Sequence, residues 1–209
     1  MMTEPSAKAP DQRPEHPDFW CKRFGSGTTP WDAGKVPDAF ARFVAAEPAP
    51  RHTLIPGCGS GWEAVLLAER GWRTTALDFS PTAVARAREV LAPVLGPDST
   101  VDVVCDDFFA WTPAAPLDLI YERAFLCALP RRLWNDWGRR VAELLPPGGR
   151  LAGFFFVCDQ LKGPPFGILP EQLAALLMPH FACLADEAVS DSIPVFAGRE
   201  RWQVWQRRG

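Results

Sequence analysis

The chain has 209 residues, 47% of them hydrophobic, six cysteines and a formal net charge of −3. That length and apolar content suit one domain with a sizeable core, and the acidic balance excludes the basic footprint that nucleic-acid binding needs. No stretch is apolar for long enough to span a membrane, the polar start has no signal-like apolar core, and the cysteines form no C-x-x-C pair or zinc spacing, so the expectation is a cytoplasmic, monomeric protein with reduced thiols.

Residues 1–17 hold four prolines and few apolar anchors and read as a disordered arm. Residues 18–209 read as one domain, with 18–50 forming an N-terminal lid and helices. A helical turn over 19–24, capped by Asp18, leads into a Gly/Thr/Pro loop over 25–34 that carries Trp31 and Asp32. An amphipathic helix over 37–46 follows, with Phe40, Phe43 and Val44 on one face. Strands and helices then alternate. A strand over 52–56 precedes a helix over 61–69; a strand over 73–77 precedes a helix to about 91, opened by Ser80 as cap and Pro81 in its first turn. Strands over 101–104 and 117–121 come next, then a helix over 131–145 stopped by Pro146, Pro147, Gly148 and Gly149. The apolar run 151–157 fits a strand buried on both faces. A helix over 170–178 and strands over 181–189 and 201–205 complete the chain, the last alternating as an edge or antiparallel strand does. The pattern predicts a Rossmann-like α/β fold: a mostly parallel sheet, helices on both faces, and an antiparallel last strand. Ligands in such sheets sit at the carboxyl ends of the strands, beside the topological switch point.

Three strand ends carry residues suited to that position. After the first strand, Gly57, Gly59 and Gly61 alternate in the run LIPGCGSG and lead straight into a helix, a turn that lets backbone N–H groups approach a ligand closely. Asp78 ends the second strand seventeen residues after Gly61, near the offset at which a carboxylate meets ribose hydroxyls. Asp106, Asp107 and Phe108 follow the third strand. There Asp107 can accept from the exocyclic amine of an adenine and Phe108 can cover the ring; alternatively the two acids cap the next turn. The spacing G-x-G-x-G differs from the dinucleotide fingerprint and suits a flat, zwitterionic nucleoside without phosphates, of which S-adenosylmethionine is an example.

Taken together, residues 29–32 (TPWD), the loop 54–59 (LIPGCG), 78–83 (DFSPTA), 107–109 (DFF), 121–129 (YERAFLCAL) and 163–166 (GPPF) resemble the thiopurine methyltransferase superfamily, and within it the bacterial and plant halide/thiol methyltransferase branch. The resemblance spans about residues 18–207. It implies a seven-stranded class I methyltransferase fold that uses S-adenosylmethionine. It further implies a cofactor set of Trp20, Phe24, Trp31, Gly57, Gly59, Gly61, Asp78, Phe79, Asp107, Phe108 and Arg123, with Trp20 and Trp31 closing over the cofactor. Phe24 stands where plant members have another tryptophan, and Arg123 where they have a tyrosine. The implied acceptor wall is Trp20, Trp31, Arg123, Phe125 and the loop 163–166 with Phe166, closed by the segment 191–200. Arg123 could attract an anion or pair with Glu122 or Glu200. Trp62, Trp72, Trp134, Trp137, Trp202 and Trp205 read as packing residues.

Methyl transfer from a sulfonium is an in-line displacement, so the protein must position a nucleophile and exclude water. Halide ions, hydrosulfide and thiols need no obligatory general base, in keeping with His16, His52 and His180 all lying away from the expected ligand turns. The expected reaction is methyl transfer to such small-molecule or ion acceptors, with no metal. Aromatic thiols such as thiopurines are the alternative acceptors, and a nicotinamide oxidoreductase or a non-catalytic binding module the alternative classes.

Overall fold

A computed structural model describes residues 8–209. Two helices come first, α1 (Pro17–Gly25) and α2 (Asp38–Ala46). Alternation then runs β1 (His52–Pro56), α3 (Trp62–Glu69), β2 (Arg73–Asp78), α4 (Pro81–Leu91), β3 (Val101–Cys105), β4 (Leu119–Arg123), α5 (Trp134–Leu144), β5 (Arg150–Phe156), α6 (Pro170–Leu177), β6 (Phe181–Ala188) and β7 (Glu200–Arg207). The sheet order is β3-β2-β1-β4-β5-β7-β6, with β7 antiparallel to both of its neighbours. Strand order reverses between β1 and β4, which are paired, so the connections leaving their carboxyl ends diverge and open a crevice there.

Period-two alternation along the strands sorts the core into two layers. Leu54, Ile120, Leu151 and Phe155 face one side, where α5 and α6 bring Trp134, Trp137, Val141, Leu173 and Leu177. Ile55, Tyr121, Ala152 and Phe154 face the other, where α2, α3 and α4 bring Phe40, Val44, Leu67, Ala87 and Leu91. The helices over the second face start where their sequences say they should. Pro81 opens α4, and Ser80 Oγ accepts from Ala83 N at 3.3 Å.

Several boundaries differ from the sequence reading. The side chain that caps α1 belongs to His16, which accepts from Asp18 N; Pro17 takes the first helical position. Strand β4 lies two residues later than expected, because Pro116 and Leu117 precede the ladder and Asp118 Oδ2 instead accepts from His52 N; the shift carries Arg123 into the strand. A 3-10 turn, Arg131–Leu133, precedes α5. Strand β7 is interior, and β6 forms the edge. Of the six free cysteines only Cys58 and Cys127 are buried; Cys105 and Cys183 are exposed. The arm assignment falls partly outside the described residues. Within them, residues 8–16 hold a 3-10 turn (Pro10–Gln12) and are tied down by Lys22–Asp11 (2.8 Å) and Arg132–Glu15 (2.6 Å) ion pairs.

Candidate functional site

A cavity of about 1020 Å³ lies over the carboxyl ends of the strands. Its base is the turn after β1. Gly57 and Gly59 both hold left-handed backbone, at φ 59° and 53°, which disfavours any residue with a Cβ. Space adds a second reason at Gly57, where a Cβ would sit 2.5 Å from the Phe125 ring; one on Gly59 would only touch the ring of Phe24, at 3.4 Å. Gly61, also left-handed, caps α3 and backs onto Ala87 and Leu91.

Asp78 closes one side. Its Oδ2 accepts from Gly59 N at 3.1 Å and its Oδ1 from Ser80 N at 2.9 Å. These bonds join the end of β2 to the glycine turn and still leave lone pairs on both oxygens for ligand hydroxyls. The side chain faces the cavity while the residue is only 6% exposed, and burial pushes its carboxyl up to about 6 against the pull of those N–H bonds. Beyond β3, Asp106 accepts from Asp107 N (2.8 Å) and Asp107 from Phe109 N (3.0 Å), so both acids cap the turn, and both also line the cavity. Phe108 is buried and meets the Phe125 ring edge-on at 5.1 Å. From α5, Arg140 donates to the carbonyls of Phe108 (3.4 Å) and Trp111, tying this turn to the helix.

An aromatic roof covers the glycine turn. Trp31 lies edge-on to Trp20 at 5.4 Å and to Phe24 at 6.0 Å. Trp20 Nε1 donates to the Pro14 carbonyl at 2.7 Å, and Pro14 and Glu15 lie at the cavity wall. Asp32 clasps the roof to the floor: it accepts from Ser60 Oγ, from Trp62 Nε1 at 2.9 Å and from Gly34 N at 2.9 Å.

The far end of the cavity is polar below and apolar above. Glu63 Oε1 accepts from Tyr121 OH and from Arg123 Nη1, both at 3.2 Å. Arg123 thus pairs with Glu63, neither Glu122 nor Glu200 being its partner. Glu122 points to the other side of β4, where its Oε1 accepts from Phe125 N and Leu126 N at 3.0 Å each, and burial raises its carboxyl to about 7. It thereby shapes the turn that aims Phe125 at Gly57. Cys127, Pro164, Pro165, Val195 and Phe196 complete the apolar wall.

Of the residues expected from sequence, Trp20, Phe24, Trp31, Gly57, Gly59, Gly61, Asp78, Phe79, Asp107, Phe108, Arg123 and Phe125 all border this one cavity. Phe166 does not. Pro164 and Pro165 present themselves to the cavity, while Phe166 packs against the core layer beneath α5. Trp62 is the opposite case, a residue read as packing that instead lines the cavity. Its place in the first turn of α3, directly after the glycines, was the available signal. Glu63, in the same turn, and Asp32, in the TPWD run, carried that signal too. Among the described residues no cluster of His, Cys, Asp and Glu could hold a metal ion, and no helix is long and apolar enough to cross a membrane.

A model of the family described as thiopurine S-methyltransferase matches residues 15–208. The chain belongs to that family. Relatives of this thiopurine methyltransferase family member include "Probable thiol methyltransferase 2" of Arabidopsis thaliana, 34% identical over 82% of this chain and 74% of that one. "Thiocyanate methyltransferase 1" of the same plant is 29% identical over 90% of this chain and 84% of its own length. Among solved structures, the 1,6-didemethyltoxoflavin N1-methyltransferase of Burkholderia thailandensis, with bound S-adenosylhomocysteine, shares the fold with a TM-score of 0.74 at 17% identity, covering 99% of this chain and 94% of that one. The protein is an S-adenosylmethionine-dependent methyltransferase of class I fold. The site fits that cofactor: side-chain-free glycines at the turn, a buried carboxylate with lone pairs left for a ribose, and an acid-aromatic pair where an adenine would lie.

Proposed function

We propose that the acceptors are small, soft nucleophiles, with thiols foremost and hydrosulfide and halide ions as smaller members of the class. The observation that carries this reading is the acceptor end itself: aromatic and aliphatic side chains (Trp20, Trp31, Phe125, Cys127, Val195, Phe196) surround it, and no histidine lines the cavity among the described residues. Such a wall, whose Glu63 carboxylate is already engaged by Tyr121 OH and Arg123 Nη1, favours a polarisable sulfur over a hydroxyl or amine, whose methylation calls for a positioned base. Bound S-adenosylmethionine supplies a methyl group already activated by the sulfonium charge. The chain supplies the rest. Asp78 accepts the ribose hydroxyls, Asp107 and Phe108 hold the adenine, and the glycine turn admits the nucleoside close to the backbone. Trp20 and Trp31 exclude water and hold the acceptor in line. An acceptor with a pKa near neutrality loses its proton to solvent before transfer.

A second reading, a larger aromatic thiol, is favoured by cavity size. About 1020 Å³ is at the top of the ~300–1,000 Å³ range of single-ligand pockets, leaving room for more than a lone ion beside the cofactor. The test is a competition among thiophenol, ethanethiol, hydrosulfide, iodide and a thiopurine, with radiolabelled methyl donor and trapping of volatile products. The proposal expects kcat/KM for the thiols to exceed that for iodide. Exclusive turnover of the thiopurine would establish the second reading, and methylation of none of the five would overturn both.

A further inference from the structure

We infer that Glu63 sets the charge met by the acceptor, and that by screening Arg123 it weakens the hold of the site on free inorganic anions, so that thiols outcompete them. The inference rests on the acceptor class proposed above. Arg123 and Glu63 both line the cavity, with side chains 12% and 11% exposed, and their charged atoms lie 3.2 Å apart. An arginine this far buried would be a strong anion receptor if left alone, since its planar fork binds small oxyanions and halides without reorganisation. Here one arm of the fork, Nη1, already donates to a carboxylate oxygen, while the buried Nε has no partner. Tyr121 OH donates to the same Glu63 oxygen and holds that side chain in place. Glu200, 7% exposed on β7, makes no hydrogen bond to Arg123, and burial raises its own carboxyl. The guanidinium and the Glu63 carboxylate together present no net positive charge to a ligand.

Of the other cations that border the cavity, Arg132 pairs with Glu15, Arg139 with Asp136, and Arg140 with Glu143 and the carbonyls of Phe108 and Trp111. Arg23 lies over the Phe19 ring and donates to the Phe19 carbonyl, and Lys35 stands in the loop that carries Trp31. A thiol that enters uncharged under the roof and sheds its proton there loses less by this screening than a permanent anion does. Chloride, phosphate or thiocyanate, each needing a countercharge once dehydrated, loses most of its attraction.

Glu63→Gln isolates the charge, because the amide oxygen can still accept from Tyr121 OH and Arg123 Nη1. Two readouts are needed. The first is calorimetric titration of thiocyanate into protein saturated with S-adenosylhomocysteine. The second is KM for thiocyanate and for ethanethiol, with chloride as inhibitor. The variant is expected to bind thiocyanate about tenfold more tightly than wild type, to show a similar fall in its KM and in the chloride inhibition constant, and to keep KM for ethanethiol. Adding Arg123→Gln to Glu63→Gln should abolish the gain. Equal thiocyanate affinity in wild type and Glu63→Gln, or a gain that survives the second substitution, overturns the inference. Failure of the proposed acceptor class is separable from this: the wild type would methylate no thiol, while the calorimetric comparison would still decide the role of Glu63.

Discussion

Replacing Asp78 with asparagine separates the two tasks that its carboxylate performs. Both oxygens accept backbone N–H groups, from Gly59 and from Ser80. An asparagine has one acceptor oxygen, so one of those buried N–H groups would face an NH₂ group and lose its partner. An unsatisfied buried donor costs about 1–3 kcal/mol of stability. Cofactor binding loses separately, because hydrogen bonds to a charged group contribute ~1.5–3 kcal/mol, equivalent to about 10- to 150-fold in Kd. Protonation should mimic the second loss. With the carboxyl at about 6 in the free protein, roughly one site in ten is ionised one pH unit below. Affinity for S-adenosylhomocysteine should therefore rise about tenfold from pH 5 to pH 7.5 in the wild type and stay flat in the variant. The folded pKa lies above the ordinary aspartate value of 3.8, so the contribution of this group to stability is fully present below the unfolded value and is lost as pH rises from about 4 through about 6. Calorimetry across that range, with thermal melts, gives both numbers. An asparagine variant within twofold of wild-type affinity, or a wild-type affinity flat from pH 5 to 7.5, would refute the assignment of Asp78 to the ribose.

Three other substitutions test neighbouring parts of the argument. Trp31→Ala removes the roof but no buried core, so kcat/KM should fall at least ~10-fold while Tm drops by only a few degrees; matched losses of Tm and activity would make the tryptophan a packing residue. Arg140→Ala frees the adenine turn from α5 and should raise KM for the cofactor several-fold with KM for the acceptor unchanged, read by steady-state kinetics with each substrate varied. Gly57→Ala places a Cβ 2.5 Å from Phe125 in left-handed backbone and should lower stability by about 1–3 kcal/mol in denaturant melts, part of which Phe125→Ala should restore.

The order of elements and the cofactor side were legible because local signals suffice for them. Alternate glycines, the Ser80–Pro81 helix start and an acid ending β2 each declare themselves within a few residues. The clasps that shape the site lie far apart in the chain. Asp32 reaches residues 28 and 30 positions away, and Glu63 reaches 58 and 60. Nothing in the composition of either segment names its partner. Trp62 was misread because helical spacing alone places a tryptophan in a core, whereas the first turn after a glycine loop faces the ligand. Phe166 erred in the other direction, since a run of Gly, Pro, Pro and Phe does not say which ring turns inward. The register of β4 was hidden by Leu117, apolar and buried but outside the ladder.

The most direct measurement uses S-adenosylmethionine carrying a ¹³C-labelled methyl group, with thiophenol as acceptor and the reaction followed by NMR. The account predicts that the methyl signal leaves the sulfonium position and appears as an S-methyl thioether in equal amount with S-adenosylhomocysteine, at a rate that Asp78→Asn reduces at subsaturating donor. A labelled methyl that stays on the donor while thiophenol remains unchanged would contradict it.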